Sequence, residues 1–495
     1  MTGRLTLATL RAAAGRPGVT GPAVDPRATR VGVVHLGVGA FHRAHQAVFT
    51  EDAAAATGED HWGILGVSQR TATVVDQLVP QDCLYGVLTK GRRETSLRLV
   101  GSMRGAAFLR DETARVLAAV AAPTTHVVTL TVSEKGYRRS PTGGPDLADP
   151  DLAADLEVLR REVTGGRDDA PARSPIGALA RGLAWRHSAH GAPLTVVCCD
   201  NMVDNGHVVA SLVGAVLDAV PGAGPLRAWV DDAVRFPVTM VDRITPATTA
   251  AHRAEAAALL GLTDHALVVG EPFAQWVIED SFAGPRPAWE RAGAMLTGDV
   301  APFERAKLRL LNGAHSAIAY LGALRGHARI DEAVGDPAVA SVAEALMAEV
   351  MPTLPPAPGL DLPRYAAEIL ERFANPAIGH TCLQVAGDGS QKLPIRVLGT
   401  VADRLADGVV PVAATRTMAA WAVFVARGQD RDGRPLPLDD PLAARLRAAA
   451  AGDEAGLADR LLGVSEVFPP AVRGHDGFRA ELRAQVADLL TVVPA

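Results

Sequence analysis

Val31-Gly32-Val33-Val34-His35-Leu36-Gly37-Val38-Gly39-Ala40-Phe41-His42-Arg43-Ala44-His45-Gln46 is the stretch whose reading decides the fold. Its first six residues are largely apolar without strict alternation, as in a strand buried on both faces. They run straight into a Gly-x-Gly turn. In a dinucleotide-binding fold the first such glycine allows the tight turn. The second lets the backbone approach a pyrophosphate at the start of a helix. The third glycine of G-x-G-x-x-G is absent, and His42 stands in its place. Gly37, Gly39 and Phe41 are the first candidates for cofactor contacts. Arg43 joins them as a charge that can face phosphate.

Similar runs recur along the first half, at His126–Val132, Leu194–Cys199 and Leu267–Val269, with helical stretches such as Glu112–Ala121 and Gly206–Ala219 between them. Alternating β and α elements predict a parallel, doubly wound Rossmann-type α/β sheet. Ligands of such sheets sit beyond the carboxyl ends of the strands. His126–Val132 delivers Ser133, Glu134 and Lys135 there, and Leu194–Cys199 delivers Asp200 and Asn201. The second strand, Gly63–Val67, leads into Ser68-Gln69-Arg70-Thr71-Ala72-Thr73. It lacks the carboxylate that commonly binds the ribose of NAD, so NAD and NADP both stay open.

After about residue 300 the character changes. Phe303–Leu324, Pro337–Val350, Tyr365–Ala374, Arg396–Ala406, Thr415–Ala426 and Leu442–Ala450 read as helices with little strand between them. The expected division is a Rossmann-type domain over 1–297 and a mainly α-helical domain over 298–495.

Bulk composition narrows the function classes. The 495 residues are 48% hydrophobic and 21% charged, with a net charge of -6. That balance gives no reason to expect nucleic acid or an anionic membrane as partner. No apolar run approaches the roughly 20 residues of a membrane span. The N-terminal stretch lacks the apolar core of a signal peptide, which predicts a cytoplasmic protein. Cys83, Cys198, Cys199 and Cys382 form no C-x-x-C pair and read as free thiols. Neither they nor His42 and His45 have zinc-site spacing, so no metal is expected. No apolar stripe demands a partner, which predicts a monomer or weak homo-oligomer acting on a small molecule.

Only four of the 49 basic residues are lysine: Lys90, Lys135, Lys307 and Lys392. A desolvated lysine can lose its proton near neutrality, whereas arginine cannot. Lys307 has the most telling neighbours, in Phe303-Glu304-Arg305-Ala306-Lys307-Leu308-Arg309-Leu310-Leu311-Asn312-Gly313-Ala314-His315. At about 100° per residue, Glu304, Lys307, Asn312 and His315 fall within an arc of roughly 140°. The apolar residues beside them predict a largely buried helix, where polar groups need partners. Oxidation of a secondary alcohol requires removal of the hydroxyl proton as hydride leaves carbon. A neutral Lys307 can act as that base if burial lowers its pKa from about 10.4 towards 7–8. Asn312 and Asn201 can polarise the oxygen, and Glu304 can relay the proton.

HLGVGAFHRAHQA, TLTVSEKGY, CCDNMVDNG, MVDRITP, GEPFAQWVIED, KLRLLNGAHSAIAYLG and DGSQKLP together resemble the polyol-specific long-chain dehydrogenase family, also called the mannitol dehydrogenase family. The resemblance covers nearly the whole chain. It implies metal-independent, NAD(P)-dependent interconversion of a polyol-type alcohol and a ketose-type ketone. By motif it casts Lys307 as general base, Asn201 and Asn312 as the oxyanion pair, and Glu304 as the proton-gating acid. Asp242, His315 and Lys392 become contacts to substrate hydroxyls. Mannitol dehydrogenases of the family carry an arginine eight residues before the lysine of DGSxK; here Gln384 holds that position. The segment looks more like the mannonate branch, which interconverts D-fructuronate and D-mannonate. Its substrate carboxylate wants a cation, from Arg396 or Lys392. Mannitol 2-dehydrogenase activity is the alternative. NAD is the cofactor implied by most of the family.

Overall fold

Val31–Leu36 forms the first strand (β1) of a six-stranded sheet in the computed structural model, which describes residues 3–140 and 142–492. Gly63–Ser68 (β2), Met103–Phe108 (β3), Val127–Leu130 (β4), Leu194–Cys198 (β5) and Val234–Arg235 (β6) complete it. The order is β3-β2-β1-β4-β5-β6, and every pair is parallel. The strand order reverses between β1 and β4, and that reversal opens the ligand crevice of a Rossmann-type sheet.

Both faces of the sheet are covered, which is why its strands lack alternation. On one face Val34, Leu36, Val128, Leu130 and Val196 pack with Leu179, Leu183, Leu212 and Val213 of two flanking helices. On the other, Val33, Val127 and Val197 pack with Ala47, Phe49, Trp276 and Trp289. Successive residues of β1 thus serve opposite layers, as the two-residue period of a strand requires.

The turn after β1 explains its glycine. Gly37 has φ +107°, and a Cβ there would collide with the carbonyl oxygen of Thr131 at the end of β4. Beneath it lies fully buried His35, whose Nε2 is 3.0 Å from the Gly37 carbonyl oxygen and whose Nδ1 is 2.7 Å from Thr129 Oγ1. A carbonyl only accepts, so Nε2 carries the proton and Nδ1 accepts from the threonine. His42, in the place of the third glycine, stacks on the His35 ring.

Leu267–Val269 does not join this sheet. The strand is Val268–Gly270, and it pairs with Tyr85–Lys90 in a separate four-stranded sheet with Val19–Thr20 and Thr95–Val100. A three-strand sheet of Thr239–Asp242, Gln275–Glu279 and Met295–Thr297 completes the β structure. Among the described residues no strand follows Thr297; helices account for the regular structure beyond it. The chain divides into two compact units, Met1–Val300 and Ala301–Ala495. The second has its own core, with Tyr320, Trp421, Phe424, Phe468 and Phe478 fully buried. Its C-terminal Asp476–Val492 helix was not expected from the sequence.

Two expected helices are not uniform. Phe303–Leu324 resolves into α-helix Ala301–Ala306, a π-helical turn Lys307–Asn312, and α-helix Gly313–Leu324. A second π turn, Pro394–Leu398, precedes the α-helix Gly399–Ala406. Among the described residues no helix is long and apolar enough to cross a membrane.

Burial pushes His35 down to about 3 and holds His42 well below the usual imidazole range, with His35 and Arg43 adding to the effect on His42. Both rings are neutral when folded. Below the unfolded value of about 6.5 the unfolded chain binds more protons, so stability falls as pH falls. Acidification from pH 6.5 to 5 should cost up to about 2 kcal/mol per ring. Urea titrations across this window should show His42→Asn with a shallower decline than the parent. An unchanged slope contradicts the assignment.

Candidate active site

In the first unit, Asp200 shapes the end of β4. Its carboxylate accepts from Val132 N–H at 2.9 Å, Ser133 N–H at 2.8 Å and Tyr137 O–H at 2.6 Å. Burial pushes this carboxyl up from its ordinary value, and the three donors work against that rise. They bend the chain after β4 through Ser133, at φ +66°, and leave Ser133, Glu134 and Lys135 exposed beyond the strand. Arg70, at the end of β2, donates to Ser133 Oγ at 2.7 Å. The ends of β1, β2 and β4 therefore carry exposed groups on the side where a dinucleotide would lie.

Arg43 does not belong with them. Its side chain is buried, its Nη1 donates to the Ala266 carbonyl and its Nε to the Gly39 carbonyl, and it lies over the Tyr85 ring. The expected phosphate contact is corrected to an internal tie, because the guanidinium is turned into the protein. Lys90 is likewise engaged, in an ion pair with Glu255 at 2.8 Å.

No role is marked in the sequence for fully buried Asn205, yet it organises two expected site residues. Its Nδ2 donates to the Asp200 and Thr239 carbonyls at 3.0 and 2.9 Å, and its Oδ1 accepts from Thr239 N–H at 2.9 Å. It thereby joins the end of β5, which bears exposed Asn201, to the Thr239–Asp242 strand, which ends in buried Asp242. An asparagine opening a helix normally reads as a cap. Only the second strand's position reveals the bridge.

In the second unit, Lys307 and Asn312 are 8% and 7% exposed and bound one π turn. An α-helix would hold residues five apart about 140° from each other; the wider i→i+5 turn narrows that angle. The shared face survives, but for a different reason than a uniform helical wheel. Asn312 Nδ2 is buried with no hydrogen-bond partner. A buried donor with no protein partner is costly unless water or a ligand serves it. Glu304 lies half-buried on the α-helical turn just before.

His315 stacks on Phe373, with ring centroids 4.5 Å apart, and on His380 at 5.9 Å. Its Nε2 is also buried without a partner. Burial, with neighbouring His380 and the positive charges of Arg396, Arg372 and Lys392 adding to it, holds it well below the usual imidazole range, so the ring is neutral. Arg396 donates to Ser316 Oγ at 3.2 Å, and Ser316 Oγ donates to the Asn312 carbonyl at 3.0 Å. Lys392 Nζ donates to the Gly387 carbonyl at 2.6 Å. Gln384 is exposed, and its Oε1 accepts from Thr381 N–H at 3.1 Å to close a capping box. Arg372 and His380 are additions that no motif had marked. Among the described residues no group of three or more His, Cys, Asp or Glu side chains is placed to hold a metal ion.

Family models for the mannitol dehydrogenase Rossmann domain and the mannitol dehydrogenase C-terminal domain match residues 31–291 and 299–490. The chain belongs to the mannitol dehydrogenase family. It is 40% identical over 460 residues to D-mannonate oxidoreductase of Escherichia coli K12, covering 91% of each chain. It is 37% identical over 469 residues to a mannitol dehydrogenase of Saccharomyces cerevisiae, covering 93% of this chain and 90% of the relative. The ternary complex of Pseudomonas fluorescens mannitol 2-dehydrogenase with NAD and D-mannitol superposes with a TM-score of 0.84 at 34% identity, covering 99% of this chain and 98% of that one. Family membership makes the protein an oxidoreductase of the dehydrogenase type. Relatives acting on mannonate and on mannitol stand at similar identity.

Within this mannitol dehydrogenase fold, Asn205→Ala removes the bridge between β5 and the Asp242 strand and strands a buried N–H and two carbonyls. The expected loss is roughly 2–4 kcal/mol of unfolding free energy by denaturant titration. A loss under about 0.5 kcal/mol, the scale of a surface substitution, contradicts the role.

Proposed function

We propose that this chain reversibly reduces D-fructuronate to D-mannonate with NAD(H), with Lys307 as its acid–base group. The observation that carries the reading is the orphaned, buried Asn312 Nδ2 on the same π turn as buried Lys307. Negative charge develops on the substrate oxygen as the carbonyl becomes an alkoxide. A donor already fixed in place, with no other partner to leave, stabilises that charge without reorganisation, worth about 3 kcal/mol. Asn312 is that donor, and Asn201 is proposed as the second. Lys307 gives its proton to the alkoxide in reduction and, as the neutral amine, takes the hydroxyl proton in oxidation. Half-buried Glu304 passes that proton to and from water.

The second unit supports a sugar acid as substrate. Arg396, Arg372 and Lys392 all bring positive charge to bear on His315, whose neutral ring offers Nε2 to a hydroxyl. Such a setting favours an anionic substrate over a neutral polyol. Asp242 is proposed to hold another hydroxyl. The likeness to D-mannonate oxidoreductase points the same way.

The first unit is proposed as the cofactor domain. NAD, when bound, would accept and supply the hydride. Gly37, Gly39 and Phe41 would take its phosphates, and Ser133, Glu134 and Lys135 would line its far side. A Cβ placed on Gly39 meets no atom closer than 3.8 Å, so the face of the turn is open to a ligand. NAD is favoured because the Pseudomonas fluorescens relative holds it. The test compares D-fructuronate with D-fructose, each with NADH and NADPH. D-fructuronate with NADH should give the higher kcat/KM, by about 100-fold, the scale of one well-recognised charge. A preference for D-fructose overturns the substrate assignment, and a preference for NADPH overturns the cofactor. Lys307→Ala should bind cofactor normally and lose about 10³-fold in kcat; near-normal turnover refutes the base.

A further inference from the structure

The two π turns are interlocked. Each is followed directly by a glycine, in Lys307-Leu308-Arg309-Leu310-Leu311-Asn312-Gly313 and in Pro394-Ile395-Arg396-Val397-Leu398-Gly399. Each glycine receives the arginine of the other turn. A Cβ on Gly313 would stand 2.9 Å from the Arg396 carbonyl oxygen, and a Cβ on Gly399 would stand 3.0 Å from Arg309 Nη2. The first is shorter than packed atoms tolerate and meets backbone, so Gly313 accepts no side chain without a backbone shift; the second is tight, and a side chain at Gly399 would push the Arg309 tip aside by a few tenths of an ångström. Arg309 is then pinned at its tip. Its Nη1 donates to Asp403 Oδ2 at 2.5 Å and to Thr353 Oγ1 at 2.7 Å, and the side chain is only 11% exposed.

A π turn is the less stable way to wind a helix, and isolated ones persist where surroundings hold them. Arg309 lies inside the turn that bears Lys307 and Asn312. Its ion pair reaches the helix that follows the other π turn. We infer that Arg309, through Asp403 and the Gly399 notch, is a positioning residue that holds Lys307 and Asn312 in register for proton transfer. It touches no reacting atom. The inference rests on the reading of Lys307 and Asn312 as base and oxyanion donor.

The test measures kcat, substrate KM and NADH affinity in the full-length enzyme for Arg309→Met, Arg309→Lys, Asp403→Asn and Lys307→Ala. Arg309→Met should lower kcat about 30-fold, within the range that a displacement of an ångström costs. Substrate KM and NADH affinity should stay within about twofold, and Arg309→Lys should recover most of the rate. Asp403→Asn changes a half-exposed carboxylate and leaves the core alone; it should show the same split with a smaller loss in kcat. If Arg309→Met does not fold, the Asp403→Asn and Arg309→Lys results decide. Folded variants with parental kcat overturn the inference while a dead Lys307→Ala leaves the base assignment standing. Turnover that survives Lys307→Ala overturns both. Loss of NADH affinity in step with kcat also overturns it, because the tie would then serve general stability.

Discussion

Two buried polar groups, an amine and an amide five residues apart, must face one way if both are to act on one oxygen. A regular α-helix would turn them about 140° apart. The chain winds Lys307 to Asn312 as a π turn, which narrows that angle, and several contacts of the second unit bear on the turn. Gly313 leaves room for the Arg396 carbonyl, Gly399 lies against the Arg309 guanidinium, and the Ser316 hydroxyl links the Arg396 guanidinium to the Asn312 carbonyl. Each feature is a local disadvantage. A wide turn, an orphaned amide and a buried lysine all cost stability, and the large apolar core around Trp421 and Phe424 carries that cost.

The first unit follows the same logic with buried carboxylate and amide groups. Asp200 gathers two backbone N–H groups and the Tyr137 hydroxyl, so the chain beyond β4 turns outward with Ser133 to Lys135 exposed. Asn205 ties β5 to the strand of Asp242. Neither residue is proposed to touch ligand. Both are fully satisfied, as buried polar groups must be if they are to hold a geometry. The contrast with Asn312 is informative: of these buried amides, the one with an orphaned donor is the one proposed to bind substrate.

Much of this was legible in the sequence, because burial leaves a pattern. Val31–Leu36, Pro337–Val350 and the strand after Leu194 appear where their apolar runs predict. What failed did so for physical reasons. Leu267–Val269 looks like any buried strand, and three residues do not specify which sheet will pair with them. Arg43 follows a Gly-x-Gly turn where phosphate is expected, but its guanidinium found backbone carbonyls inside the protein first. The π turn is invisible to a wheel that assumes a constant angle per residue. Asn205 was passed over because its partner strand lies 34 residues away in sequence.

The central claim is that Lys307 and Asn312 act together on the substrate oxygen from one π turn. A crystal structure with NADH and a non-reacting analogue of D-fructuronate tests it most directly. The account predicts the analogue's oxygen that stands for the keto oxygen, the atom that would become the hydroxyl, within about 2.6–3.2 Å of both Lys307 Nζ and Asn312 Nδ2, with the π turn retained. An analogue bound with that oxygen out of reach of both groups would contradict it.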